Sequence, residues 1–480
     1  MISSLQPLWP EILLASLTCF ILVFEVCCAE RFKWLTHYWC QLTLIITAVA
    51  LWQVYPVHTV VAFHEQWVMD GFAQTAKLFI VILMLLTFIY SRDYIKSQNI
   101  AAGEFHLLGL FSALGMLVLT SANSLLMIYL GLELLSLPLY TLVALKRDSV
   151  ICAEAGMKYF IMGALASGML LYGMSILYGI TGHLVLGDIS LALQQTQGVT
   201  QVMAGFALVF IIVGLAFKLG AVPFHMWLPD IYAGSPTAVT LLIGTAPKVA
   251  AFAMAYRLLA QGLPELAGTW IDFLIVLAAL SLLLGNIVAI AQVNLKRMLG
   301  YAAIAQVGFI LLGLIAGPDA GYLSALFYTL IYTLIAAAGF GGILILSSRG
   351  MEVEKIEDLR GLSHHHPWLA FLMLLVMFSF AGVPPTIGFY AKFLVLNALV
   401  EAQLTWLAVL AVLASIIGAF YYLRVVKVMY FDSPEHVLPI VEDSFDARIL
   451  LSVNGLMVLA LGIFPGPMYI LCQRLFSFGI

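Results

Sequence analysis

The run QVMAGFALVFIIVGLAF, residues 201–217, is long enough to cross a bilayer, and many runs like it follow one another along the chain. A hydrocarbon core takes about 20 apolar residues per helix. That ruler marks about fourteen spans: 8–29, 36–55, 71–90, 104–121, 122–144, 154–180, 204–232, 235–260, 268–292, 298–316, 319–347, 367–401, 403–430 and 447–472. The seventh and twelfth are too long for one straight crossing, and both contain Gly and Pro. The period-two alternation of a β-barrel is absent, so the spans are expected to be helices. Only 10% of residues are charged and 63% are hydrophobic, whereas a soluble domain carries roughly 25% charged residues. Such a chain cannot clothe a water-facing surface. The fold class is an all-α polytopic membrane protein.

The remaining totals exclude more than they suggest. A net charge of -4 points to no nucleic-acid partner. The six cysteines, Cys19, Cys27, Cys28, Cys40, Cys152 and Cys472, form no CxxC or His/Cys spacing and read as small buried residues, not metal ligands. The first span lacks a basic leader and carries Glu11 and Glu25, so it is expected to be retained and not cleaved as a signal peptide.

Basic residues test the span count. Numbered in order, the odd loops hold Arg31 and Lys33; Arg92 and Lys96; Lys146 and Arg147; Lys296 and Arg297; Arg349, Lys355 and Arg360; and Lys427 with Arg448. The seventh loop has Asp230 and no cation. The even loops hold none except Arg257 at a helix end. This bias places the odd loops in the cytoplasm and both termini on the outer, periplasmic side. A miscount by one would scramble it.

The chain also repeats itself. GAVPFH (220–225) and AGVPPT (381–386) each interrupt an overlong apolar segment, about 160 residues apart. Spans 4–8 and 9–13 recur at the same offset. Each unit holds an odd number of helices, so the second lies upside down relative to the first. Inverted repeats with broken helices near the midplane are a transporter architecture. The expected division is three N-terminal helices in 1–103, a five-helix repeat in 104–262, its inverted copy in 263–432 and a fourteenth helix in 433–480. The polar stretch 349–366, with Val353, Ile356, Leu359 and Leu362 at helical spacing, suggests a short interfacial helix that serves as a connector.

Charges inside the spans stand out, because each costs about 2.5–3.5 kcal/mol on insertion. Lys77 lies near its span's outer end and reads as structural, and Arg257 and Arg424 read as anchors. Glu133, in YLGLELLSLPLY, lies roughly 20 Å from the loop holding Lys146 at ~1.5 Å per residue. Lys248, in IGTAPKVAAF, is near the middle of span eight, and Lys218 and Lys392 flank the two predicted breaks. Lys158, in GMKYF, is shallower. Static pairing of Glu133 with one lysine is possible, but deep lysines outnumber deep acids. A lysine held from water without an anion can exist charged or neutral at similar energy, as a proton relay requires. Arginine could not do this, and none lies at these depths. A helix break frees backbone groups that water or protein must satisfy, so a lysine beside it finds polar company. His225, two residues past Pro223, can give and take a proton near neutral pH; it reads as a relay member beside Lys218, or as a satisfied interior histidine.

Other chemistry is scarce. His364, His365 and His366 read as solvated loop residues, and His58, His64, His106 and His183 fall at loops or span ends. GFGGIL at 339–344 follows no strand, so it is not a dinucleotide motif and reads as helix packing through glycine. Tyr129, Tyr140, Tyr159, Tyr301 and Tyr390 read as packing or interfacial aromatics. No P-loop or nucleophile elbow occurs.

The stretches GLELLSLPLY, KYFIMGALASG, GLAFKLGAVPFHMWLPDIYAGSPTAV, NLKRMLGYAAIAQVGF and AGVPPTIGFYAKFLVLNA resemble the antiporter-like membrane subunits of NADH:quinone oxidoreductase, respiratory complex I. The resemblance runs from about residue 70 to 430. It favours the N type over the L and M types, because span eight reads GTAPKVAAF where those carry a histidine-rich stretch, and no long lateral helix follows span fourteen. It implies proton pumping driven by quinone reduction elsewhere in the complex. Glu133 would modulate a neighbouring lysine, and Lys218 and Lys248 would form the central relay. Lys392 would lie toward the outer exit, with Lys158 and His225 at further polar positions. NADH, flavin, iron–sulfur clusters and quinone would bind in partner subunits, and none in this chain. The partners would be other membrane subunits, antiporter-like neighbours among them, with lipids and protons, in a bacterial inner membrane. The second half has no acid matching Glu133 and no lysine matching Lys248. Two other functions fit the residues: a subunit of a multisubunit cation/proton antiporter, or a scaffold whose charges are static.

Overall fold

The structure is a computed structural model that describes residues 6–27, 34–56, 58–318, 320–347, 352–433 and 445–477. Arg31, Lys33, Arg349 and Cys28 lie outside the described residues. The chain runs as α1 (Trp9–Cys27), α2 (Leu35–Gln53), α3 (Gly71–Ser97), α4 (Ala102–Thr120), α5 (Leu125–Val143) and α6 (Val150–Thr181). Then come α7 in two pieces (Val199–Leu219 and Trp227–Gly234) and α8 (Thr237–Gly244 and Ala246–Ala255, continued as a π-helix over Tyr256–Gly262). The second half holds α9 (Ala267–Ile290), α10 (Leu295–Ile315), α11 (Gly321–Leu346), α12 in two pieces (Pro367–Ala381 and Ile387–Glu401), α13 (Thr405–Phe431) and α14 (Phe445–Ile463). Thirteen helices among the described residues are long and apolar enough to cross a membrane. The broken α12, whose halves are each too short, completes the expected fourteen.

Caps explain where several helices start. Asp70 accepts from Ala73 N at 2.7 Å, Ser124 from Met127 N at 3.2 Å and Asn294 from Arg297 N at 2.9 Å. Each satisfies an amide that has no intrahelical partner. The fourteenth span is shorter than expected. It stops at Ile463, and Pro465 and Gly466 turn the chain into a separate short helix, Gly466–Ser477. The interfacial helix expected in the long connector is instead two short turns, Ile356–Leu359 and Leu362–His365, parted by Gly361 at φ +64°. Its four apolar residues are all buried, which fits a strap tied down against the bundle.

Polar contacts sort the loops onto two faces. On one, Arg92 pairs with Asp446 at 3.2 Å, Lys146 donates to Gln98 at 3.2 Å, and Asp230 pairs with Lys158 at 3.0 Å and Arg297 at 3.6 Å. Asn294 and Lys355 bridge on the same face. These contacts link odd loops only. On the other face Trp67 bridges Ala122, Ser124 bridges Val185, Gln194 donates to Glu265, and Arg257 pairs with Asp70 at 2.8 Å. These link even loops only, so the parity read from the basic residues is the parity of the fold. A hairpin, β1 (Val60–Ala62) with β2 (Trp67–Met69), caps the even face.

Burial locates the centre. The apolar stretch of α11 is 100% buried and those of α8 and α10 are 94% buried, against 28% for α1 and α14. The inner helices can therefore carry polar groups that never meet lipid. In α11 the glycines of GFGGIL admit neighbours closely, since a Cβ on Gly341 would lie 2.7 Å from the Tyr90 ring. Two of the three charges read as structural or anchoring form buried ion pairs: Lys77 with Glu11 at 2.6 Å, and Arg257 with Asp70. They tie α1, α3 and α8 together. Arg424 donates to the carbonyls of Ile290 and Gln292, both at 3.3 Å, closing the end of α9.

Candidate functional site

The first half of α7 ends at Gly220, whose φ of +82° lies in the left-handed region that favours glycine. Its N–H closes on Ala216 O and Phe217 O, and the peptide Val222–Pro223 that follows is cis. The last carbonyls of the half-helix are left without helical partners, at the negative end of its dipole. Side chains supply what is missing. Trp227 donates its indole N–H to Phe217 O at 2.9 Å, and Lys248 Nζ, on α8, donates to Leu219 O. A Cβ on Gly220 would crowd Leu228 at 2.5 Å and sit 3.5 Å from Lys248 Nζ, so glycine serves the approach as well as the turn.

Lys218 takes the other direction. Its Nζ donates to Ser136 Oγ on α5 and lies 5.6 Å over the Tyr140 ring. Glu133 stands one turn earlier on α5. One of its carboxylate oxygens is buried without a hydrogen-bond partner, and it lies within electrostatic reach of Lys218 without forming an ion pair. Lys218 and Lys248 line a common cavity of about 20 Å³ with Tyr159 and Trp227. That is room for one water. Two lysine amines, room for a water and the nearby Glu133 carboxyl therefore meet at a helix break.

The second break repeats the first with different parts. Gly382 stands at φ +83° and closes on Phe378 O and Ser379 O; Pro384–Pro385 is cis. Here Lys392, on the helix's own second half, covers the free carbonyls. Its Nζ donates to Phe380 O at 3.1 Å, Ala381 O at 2.9 Å and Ser415 Oγ at 2.8 Å. Gln306 donates to Phe380 O at 3.3 Å and to Tyr422 OH at 3.1 Å, while Tyr328 donates to Gln306 Oε1. Gln306, Tyr328, Ser379 and Lys392 border a cavity of about 10 Å³. Tyr332 lies within electrostatic reach of Tyr328, Tyr422 and Tyr232. Neutral polar groups thus run from Lys392 back toward α7.

Of the residues singled out in the sequence, Glu133, Lys218 and Lys248 come together, and Lys392 holds the second break. The other two stand apart. Lys158 is not part of the buried set. Its side chain is 44% exposed and ion-paired with Glu154 at 2.9 Å and Asp230 at 3.0 Å, because α6 turns this residue outward on the odd-loop face. His225 lies in the turn after the break, with Nδ1 buried and unpartnered, and does not line the cavity shared by Lys218 and Lys248. His106 stands near the start of its span, as expected. It is buried inside α4, and its Nε2 meets His37 Nδ1 on α2 at 2.9 Å. Sequence reasoning missed Gln306 and the inner tyrosines, whose small insertion cost raises no flag in an apolar run. It also missed Lys296, read as a loop cation but only 1% exposed in its side chain, and its partner Glu352.

A profile of the NADH:quinone oxidoreductase/Mrp antiporter transmembrane family matches residues 122–418. The chain is 52% identical over 465 residues to NADH-quinone oxidoreductase subunit N of Thioalkalivibrio sulfidiphilus, covering 97% of each sequence. A chain of respiratory complex I from Thermus thermophilus with bound aureothin shares the fold at a TM-score of 0.81 and 32% identity, with 96% of this chain and 98% of that one covered. A chain of the Mrp complex from Dietzia sp. DQ12-45-1b superposes at a TM-score of 0.83 over 99% and 97% of the two chains, at 21% identity, which is a likeness of fold alone.

Proposed function

The chain belongs to the NADH:quinone oxidoreductase/Mrp antiporter membrane family, and from that premise we propose that it is a proton-translocating membrane-arm subunit of a bacterial NADH:quinone oxidoreductase. On this reading quinone reduction takes place in partner subunits, which hold NADH, flavin, iron–sulfur clusters and quinone. This chain supplies a path for protons. It sits in the inner membrane with its basic, odd-loop face toward the cytoplasm and its termini outside. Residues 104–262 and 263–432 are the two repeats, flanked by 1–103 and 433–480.

One observation carries the reading: Lys218 and Lys248 share a water-sized cavity at an interrupted helix, where each has neutral partners and no ion-paired acid. A change of charge at Glu133 alters the cost of holding a proton on Lys218. The proton then moves through water to Lys248, whose Nζ stands at the carbonyl end of the first half of α7. The neutral groups around Gln306 lead on to Lys392. His225 and Lys158 flank this route. The antiporter alternative is supported by the shared family profile and by fold, whereas the oxidoreductase reading is supported by identity along the whole chain.

Lys218→Ala in the assembled complex tests it. Quinone-coupled proton uptake into inside-out membrane vesicles should fall by roughly tenfold or more, on the scale of losing a positioned proton-transfer group, while the complex still assembles. Full pumping by this variant would overturn the reading. Sodium-dependent exchange without NADH oxidation would favour the antiporter.

A further inference from the structure

The odd-loop face carries a second cluster of titratable groups that the relay does not use. Glu352, in the connector between α11 and α12, is drawn down onto the start of α8. Its side chain is 19% exposed. Tyr94 donates its hydroxyl to Glu352 Oε1, Thr237 Oγ1 donates to the same oxygen at 3.3 Å, and Lys296 Nζ stands 3.6 Å from Oε2. Thr237 N–H donates to Tyr94 OH at 3.1 Å, so the carboxylate also faces the positive end of α8. Lys296 donates to Ser235 O at 3.0 Å. Glu354 acts electrostatically on both Glu352 and Lys296, and Lys146 and Cys152 act on Lys296.

From this cluster hydroxyls follow α8 inward. Ser235 Oγ and Thr240 Oγ1 lie 2.9 Å apart, and Thr240 also donates to Tyr232 O at 3.1 Å. Tyr232 OH is buried without a partner and sits 3.1 Å from where a Cβ on Gly244 would stand. Thr245, at the break between the two α-helical pieces of α8, holds its hydroxyl on Leu241 O at 2.7 Å. Lys248 lies three residues further on, and its backbone N–H closes on Thr245 O at 2.9 Å. From Thr237 to Lys248 is roughly 16 Å of helix. The Tyr232 hydroxyl, unpartnered and beside Gly244, is the member of this row left free to donate.

We infer that Glu352 is the proton-uptake residue of the odd-loop face and that the hydroxyls of α8 pass its proton to Lys248. The inference rests on the relay proposed above and adds its inlet. When ionised, Glu352 is held by Lys296, Tyr94 and Thr237. On taking a proton from water it loses the attraction of Lys296 and presents an O–H toward the Thr237 hydroxyl. Its protonated form gives the proton to the row and returns to the carboxylate, so charge and atoms balance. Burial, offset in part by the Thr237 amide, pushes the Glu352 carboxyl up to about 7, so both forms are populated near neutrality. Below that pH the protonated form dominates and uptake is saturated. Above it the carboxylate dominates, and uptake falls as pH rises.

The test uses the whole complex in inside-out vesicles, with NADH-driven proton uptake measured between about pH 6 and about pH 8. Glu352→Gln should slow uptake by roughly tenfold at the lower pH and abolish the inflection near neutrality. Glu352→Asp should restore the inflection, which a purely structural strap would not require. Thr240→Val, which keeps the shape of the side chain, should slow uptake about threefold, the scale of one neutral hydrogen bond. A Glu352→Gln complex with the wild-type pH profile would overturn the inference, as would full uptake by Thr240→Val should the first variant fail to assemble. Lys218→Ala, measured alongside, separates the two proposals: full pumping there sinks the relay, whereas a normal Glu352→Gln beside an inactive Lys218→Ala sinks only the inlet.

Discussion

The two breaks solve one problem with unequal means. Each leaves carbonyls bare in the middle of the bundle, and each covers them with an ammonium. In the first, the cover comes from the next helix: Lys248 reaches Leu219 O, and Lys218 is left to turn toward Ser136 and Tyr140. In the second, Lys392 folds back onto its own helix and makes three hydrogen bonds. The first half therefore has two lysines with few partners around a cavity of about 20 Å³. The second has one fully engaged lysine beside a cavity of about 10 Å³. A proton carrier needs two states of similar energy, and a side chain with fewer fixed partners meets that condition more easily.

The largest expected contrast follows directly. Lys248→Met should cut quinone-coupled pumping by roughly tenfold or more in complexes that assemble normally, and Lys392→Met should cut it less. Equal losses, scored by vesicle acidification per quinone reduced, would make the halves functionally equivalent and break the comparison. Stability should rank the other way. Lys392→Met removes three hydrogen bonds and leaves Ala381 O unpaired, since Phe380 O keeps Gln306, whereas Lys248→Met removes one and leaves Leu219 O unpaired, at about 1–3 kcal/mol for each bare carbonyl. Thermal release of the subunit from detergent-solubilised complex reads that order. The smallest effect belongs to the neutral groups. Gln306→Leu removes the link between Phe380 O, Tyr422 and Tyr328 and should slow pumping about threefold. No change there would leave Lys392 without a connection to the first half.

What the sequence disclosed depended on how much each feature costs in a membrane. Fourteen crossings, two interruptions and four deep ionisable groups were legible because long apolar runs, Gly–Pro breaks and buried charges are each expensive or unmistakable. Loop parity was legible too, through basic residues alone. Hidden features were cheap or ambiguous. A glutamine or tyrosine within an apolar run barely alters its hydropathy, so nothing sets Gln306, Tyr332 and Tyr422 apart from their neighbours in the sequence. Lys296 sits one residue from a helix start, and nothing in NLKRMLG says that the connector folds over it. Lys158 erred the other way. It is charged and lies within a span, but only its helix face decides whether it meets the interior or the rim.

Helix α11 meets protein on every side: α3, α8 and α10, which precede it in the chain, and α12 and α14, which follow. Half of its sheath has yet to be synthesised when it leaves the ribosome. It must therefore wait in the lipid, or in the keeping of the insertion machinery, until later segments close around it. Biogenesis of this chain is consequently an enclosing operation, and truncation after residue 346 would strand its innermost helix outside.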